Sequence, residues 1–368
     1  MYQTPPQYSP AMPYESPRPP RRRLPFALPF VLPLVLFAGL FFGGSYVMSP
    51  EPDIEMQPGF AFAEIDGRDV VLAPYERHGV RGMFQMITQD MFQVRLAATD
   101  PATGEVLWDT QLSDQLIWEA SVLAAGQRYA YLATDSGLFV VELADGSVVA
   151  EGDDVEGLGG AFVAARTAYA YDPENRRVLA MNATGGVLAI GLDQVVATPV
   201  DAPTAAAWAG RLSVERVPAA PPSSTGVEAG MNPGSTERVG LRQAPGGTPG
   251  SVLVRVTADG RVTPVGTTVF HGAQLVVDGV TAVGVATGHV LVEHQRSVND
   301  QGIALSLVSL ATGQVTATLP VDSRVDRALV GPDGVTAVAV GDVFAAARGD
   351  GRVVTLAVGL ADFFGSHQ

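Results

Sequence analysis

From about residue 58 to the C-terminus, short apolar runs alternate with turns rich in Gly, Asp, Thr and Ser. Residues 120–124, 128–133 and 137–143 are such runs, parted by Gly126-Gln127 and Asp135-Ser136-Gly137. They are too short for helices packed by one apolar stripe, and their β-branched and aromatic content suits strands joined by hairpin turns. With 147–150 they compose one four-stranded unit. The pattern is echoed at 166–171 and 178–181. It returns at 273–277, 281–286, 289–294 and 303–310, and then at 325–330, 335–340, 343–347 and 352–358. No long amphipathic helix competes with it.

The turns repeat as well. Ala98-Thr99-Asp100-Pro101-Ala102-Thr103-Gly104-Glu105-Val106-Leu107-Trp108 carries an apolar strand into an Asp/Thr/Gly turn and out again. Fainter copies lie at 143–149, 171–178, 257–262, 310–315 and 348–353, with a weaker one at 65–70. Gly104 and Gly146 are 42 residues apart. A period of roughly 40–50 residues with several strands per unit is the mark of a β-propeller. The expectation is an all-β domain over 58–368 with about seven four-stranded blades. Closure is expected through 60–65 or 70–73 pairing with 352–358. Residues 199–250 break the rhythm with Pro/Gly-rich text and read as an insert, either a flexible excursion from one blade or one that hides a strand at 211–217, with a lid over the channel as its functional reading.

Ahead of the domain, residues 26–47 hold no charged side chain. At 1.5 Å per residue this run can cross a hydrocarbon core of about 30 Å. Pro25, Pro29 and Pro33 delay the helix start, so its secure part is 31–47. Arg18, Arg21, Arg22 and Arg23 precede it and place the N-terminus in the cytoplasm. An uncleaved signal-anchor is expected rather than a cleaved signal peptide, because Ala61-Phe62-Ala63 lies too far beyond the run. The organisation is then a Pro/Arg-rich disordered cytoplasmic tail (1–23), an anchor helix (24–47), a linker (48–57) and an extracytoplasmic propeller.

Composition removes chemistries. The 368 residues include no cysteine and no lysine, so all 23 basic residues are arginine. That excludes disulfides, thiol nucleophiles, cysteine-ligated zinc, a lysine Schiff base and a P-loop lysine. Net charge is −15 in total. The first fifty residues are basic and the remainder acidic, which argues against nucleic acid as a partner.

The 98–108 motif resembles the repeat of quinoprotein-like (PQQ-type) bacterial propellers, Ala-x-Asp-x-x-Thr-Gly-x-x-x-Trp, at Ala98, Asp100, Thr103, Gly104 and Trp108. The resemblance implies that the tryptophan packs between blades and that the turn tightens the outer hairpin. Copies downstream keep Asp-Gly or Thr-Gly and lose the Trp, as in a degenerate, non-enzymatic relative. Quinoprotein dehydrogenases need a quinone pocket with calcium and a carboxylate. Nothing here maps onto one, and no cofactor or metal is expected.

Candidate sites are few. Trp118 and Glu119, at the start of a strand, place an aromatic beside a carboxylate and can face a ligand in the channel, or the Trp can pack between blades. His289 and Glu293 share one face of a strand and His294 the other, which is not metalloprotease spacing. Asp153, Asp154 and Glu156 form an acidic turn without EF-hand spacing. The function expected is a membrane-anchored binding or scaffolding module of the bacterial envelope. Its partner is an unidentified envelope protein or ligand. The alternatives are an exported quinoprotein-like oxidoreductase or hydrolase with its site in the central channel, and a sensor coupling the domain to the tail.

Overall fold

The computed structural model describes residues 28–57, 59–113, 119–214, 229–231, 237–278, 281–282 and 288–359. The chain is mostly β, in antiparallel sheets that follow one another in sequence, preceded by an apolar helix. The expected strands form because alternate residues have somewhere to be buried: Tyr129–Thr134 and Gly137–Glu142 lie between neighbouring sheets.

The first sheet is built on the long strand Arg68–His78. Asp53–Met56 and Ala61–Ile65 share one of its edges, and Phe92–Thr99 and Val106–Gln111 extend the other. The second sheet runs Ala120–Ala125, Tyr129–Thr134, Gly137–Glu142, Val148–Glu151. The third runs Tyr169–Asp172, Arg177–Met181, Val187–Gly191, Ala197–Pro199. A nine-stranded sheet follows and divides along Val262–Leu275. One part of this strand closes a fourth unit with Ala229–Met231, Arg238–Gln243 and Ser251–Val256. Its other end opens a fifth with His289–Gln295, Ile303–Ser309 and Val315–Val321. Gly266 and Gly272, both at positive φ, let the strand bend between the two. The last sheet runs Arg327–Val330, Thr336–Val340, Val343–Ala347, Val353–Thr355. Six units are therefore distinguished among the described residues, the first of five strands and the fourth and fifth sharing one strand, against an expectation of about seven four-stranded blades.

Successive sheets share apolar cores: first with second, second with third, fourth with fifth, fifth with sixth, and sixth with first. The last of these joins the ends of the domain. It does so by packing, not by the strand exchange expected from sequence. Val353–Thr355 pairs within its own sheet and Ala61–Ile65 within the first. Phe60 meets Phe344 edge-on at 5.3 Å. Arg348 Nη1 donates to Ala102 O at 2.7 Å, and Ala357 N donates to Gly104 O at 3.2 Å.

Other sequence boundaries shift. The expected linker 48–57 contains a strand, because Asp53–Met56 finds an unpaired edge at Tyr75–His78. Residues 199–250 are not simply loop. Ala202–Ala209 is a helix whose N-cap Asp201 accepts Thr204 N at 2.8 Å, and two of the fourth unit's strands lie within the insert. Of the alternative strand at 211–217, the described 211–214 carry none and 215–217 lie outside the described residues. The N-terminal segment 1–23 expected to be a disordered tail, Trp118, and residues 283–286 of the run expected at 281–286 lie outside the described residues.

Leu28–Ala38, Gly39–Gly43 and Gly44–Met48 run on as a continuous helix with a π-turn in the middle. Val31–Met48 is long and apolar enough to cross a membrane, with mean hydropathy 1.9 and none of the window buried.

Candidate functional site

The chemistry-bearing residues gather where the first strands of the first three sheets begin. Glu119 stands just before Ala120–Ala125. Its Oε2 takes Arg166 Nε from the third sheet at 3.2 Å, and its backbone N donates to Asp135 Oδ1 at 3.3 Å. Asp135 is held in a tight turn. There Thr134 Oγ1 donates to Gly137 O, and Gly137 takes a φ of 130°.

Tyr75-Glu76-Arg77-His78 ends the long strand, so Glu76 and His78 project from one face and Tyr75 and Arg77 from the other. Glu55 pairs directly opposite Glu76. His78 Nε2 lies 3.0 Å from Glu76 Oε2. Gln57 Nε2 donates to Glu76 Oε1, while Gln57 Oε1 accepts Ala120 N at 3.4 Å and ties the pair to the second sheet. Burial and then the Glu55 carboxylate push the Glu76 carboxyl up, His78 opposes the rise, and Asp135 adds to it. Glu55, Glu76 and His78 offer ligand atoms all within 4.8 Å of one another. Two carboxylates and an imidazole are a donor set for a divalent cation.

Behind the strand lies a sealed polar network. Arg95 Nε donates to Asp109 Oδ1 at 2.9 Å, Arg95 Nη1 to Gln93 Oε1 at 2.8 Å, and Tyr75 Oη to Asp109 Oδ2 at 2.6 Å. Burial, with Asp109 beside it, holds the Tyr75 hydroxyl well above its ordinary pKa. Arg77, 1% exposed, donates through Nη2 to Gln85 Oε1 at 3.1 Å. Closed to solvent, this network fixes the segment that follows His78 and presents no surface to a ligand.

The repeat residues lie at joints. Ala98 is buried in the core between the first two sheets. Asp100 Oδ1 accepts Ala102 N at 2.6 Å, Thr103 Oγ1 accepts Glu105 N at 3.2 Å, and Gly104 turns at φ 81°. Trp108 packs between the same two sheets and donates Nε1–H to Leu143 O at 2.7 Å.

Two crevices bear on the chemistry, one between two sheets and one on the fifth unit. One, of about 350 Å³, is lined by Arg68, Asp69, Asp100, Arg348 and Asp350 where the sixth sheet meets the first. The other, of about 560 Å³, includes Phe270, His294, Ser306 and Thr318. In it His294 Nδ1–H donates to Gln295 O at 2.6 Å, leaving Nε2 to accept the Ser306 hydroxyl at 2.8 Å.

Of the residues expected from sequence, Glu119 falls in the charged cluster and Trp118 lies outside the described residues. Sequence reading missed Glu55, Glu76 and His78. The Glu-x-His of a strand was legible, but Glu55 joins it only through a strand pairing that no local pattern reveals. The chain matches no protein-family model, and no curated protein is a detectable relative.

Proposed function

We propose that the chain is a membrane-tethered β-propeller of six blades that acts as a binding or scaffolding module in a bacterial envelope. The N-terminus lies in the cytoplasm and the domain outside. Shared cores join the first three sheets, join the last three units, and return from the sixth sheet to the first, which supports a ring. The third and fourth sheets are separated in sequence by 215–228, outside the described residues.

The observation that carries the reading is the clasp between helix and domain. Arg81 Nε donates to Tyr46 O at 3.2 Å, and Met83 N donates to Ser45 Oγ at 3.0 Å. A domain clasped to its anchor keeps one end toward the membrane, and the Glu55–Arg166 cluster lies at that end of the first sheet. A cluster of mixed charge there suits recognition of a polar segment of a neighbouring envelope protein, or of a cation-bearing ligand.

The test replaces Glu119 with a photo-crosslinking residue in the full chain, in spheroplasts, with Val298 as control position. Discrete heterologous adducts from position 119 and none from 298 are expected. Adducts only between copies of the chain, or none, would overturn the reading.

An exported hydrolase is the second reading, favoured by the Ser306–His294 hydrogen bond beside its crevice. The Ser306 residue is only 1% exposed and His294 Nδ1 faces a backbone carbonyl rather than a carboxylate, so the pair serves packing better than attack.

A further inference from the structure

Residues 79–91 connect the second and third strand positions of the first sheet and contain the short helix Gly82–Thr88. Each side of this helix has a different neighbour. Gln85 faces inward, where its Oε1 accepts Arg81 N at 2.8 Å and Arg77 Nη2. A second side grips the apolar helix. Phe84 meets Phe42 edge-on at 6.2 Å, the Arg81 guanidinium covers the Tyr46 ring at 4.5 Å, and Arg81 Nη1 reaches Glu51 at 3.1 Å. A Cβ on Gly82 would sit 2.7 Å from Tyr46 Cα, so only glycine permits this approach.

The third side is bare. Met86 and Ile87 are 49% and 68% exposed, and Met91, just beyond the helix on the same connection, is 63% exposed. Outside the apolar helix, the other exposed large hydrophobics among the described residues are Val149, Val214, Val262, Val298 and Val315, each in a different segment. Scattered single valines are ordinary surface; three large side chains on one short segment are not.

We propose that this face is seated in the lipid bilayer. Met86, Ile87 and Met91 enter the boundary between headgroups and acyl chains on the side where the anchor emerges. The inference rests on the reading that Val31–Met48 crosses the membrane. That span rises about 27 Å at 1.5 Å per residue, close to the hydrocarbon thickness, so its last turn lies at the interface. The clasp is made on that turn, at Ser45 and Tyr46, and brings the bare face to the same depth. Tyrosine is itself favoured there. The charges nearby are the Asp90 carboxylate and the Glu51–Arg81 ion pair, with no unpaired arginine among them, so apolar burial drives the seating and anionic lipid does not. With anchor and segment both engaged, the domain meets the membrane at two points and its tilt is fixed.

The natural chain has no cysteine, so single-cysteine variants give clean probes. Full-length Ile87→Cys, Met91→Cys, Leu40→Cys and Val298→Cys are labelled with an environment-sensitive fluorophore and reconstituted in phosphatidylcholine nanodiscs. Each is quenched by lipid-borne nitroxide and, separately, by aqueous iodide. The expected result is lipid quenching at 40, 87 and 91 and iodide quenching at 298, unchanged when phosphatidylglycerol is added. Lipid quenching at 40 with iodide quenching at 87 and 91 would overturn the seating alone. Iodide quenching at 40 would overturn the membrane-crossing reading and the seating with it. Shielding of 87 and 91 from both quenchers, or disulfide dimers through Ile87→Cys, would replace lipid with protein as the occupant and also overturn the proposal.

Discussion

Phe344→Ala tests whether the last sheet closes on the first. Phe344 is 1% exposed, within a core drawn from both ends of the domain: Phe60, Val71 and Ala73 from one, Ala337, Ala346 and Leu356 from the other. A buried phenylalanine removes about 200 Å² from water, worth about 5 kcal/mol at 25 cal/mol per Å², and an upper bound because unfolded chains already bury some of it. Truncation is expected to cost about 3–5 kcal/mol. Much of that loss would occur in any core, so the diagnostic quantity is the coupling to Phe60. The two rings lie 5.3 Å apart at 65°, and such pairs contribute about 0.5–1.5 kcal/mol beyond area. Phe60 also lies under Arg327, and the double-mutant cycle with Phe60→Ala removes that contribution. Urea unfolding of the detergent-solubilised chain, followed by far-UV circular dichroism, gives the four stabilities. A coupling of about 1 kcal/mol is expected, and additivity within about 0.3 kcal/mol would refute closure through this contact.

Three further outcomes are expected. Gly104→Ala forces a Cβ to 2.5 Å from Thr355 O at a φ of 81°, and the left-handed strain with the overlap should cost about 2–4 kcal/mol, read as a lower urea midpoint. Asp193 accepts the backbone N–H groups of Gln127, Arg128 and Tyr129; burial works against it, but these bonds hold its carboxyl below the usual range. A depressed folded-state pKa gives stability that is present above the unfolded value and lost as pH falls through the folded one. Asp193→Asn, which tolerates φ 65°, should therefore cost about 1 kcal/mol at pH 7 after allowance for exposure, a difference that shrinks as pH falls below the ordinary aspartate value of about 3.9 and is gone once the folded-state carboxyl is protonated. Ser306→Ala should lower stability by about 1–3 kcal/mol by leaving His294 and Thr318 short of a partner. The natural chain should resist a fluorophosphonate probe, and labelling at Ser306 would favour the hydrolase.

The strands were legible because burial on both faces between sheets leaves short, nearly continuous apolar runs bounded by turn residues, as in Tyr129–Thr134. The turn motif was legible for a related reason. Gly104, Gly146, Gly260, Gly313 and Gly351 all sit in turns leading to the fourth strand of a unit, each at positive φ. The same text misled at 171–178, which instead joins the first two strands of the third sheet. That sheet makes its own outer turn with Asp193, a residue that enters left-handed backbone without looking like glycine. A unit count taken from turns therefore drifts. Sharing of Val262–Leu275 between two units was equally hidden, since its glycines read as breaks. The charged cluster was legible only at Glu119. Its meeting with Arg166 and Asp135, and that of Glu55 with Glu76 and His78, depends on which strands become neighbours.

The most direct measurement uses one doubly substituted chain, Ala102→Cys with Arg348→Cys, in spheroplasts treated with a short, membrane-impermeant bis-maleimide. These positions are joined by the Arg348 Nη1 to Ala102 O hydrogen bond across the first and sixth sheets. An anchored ring outside the membrane gives an intramolecular crosslink in intact spheroplasts. A crosslink formed only after lysis would place the domain inside, and single modification at both cysteines without a crosslink would mean that the ring is open.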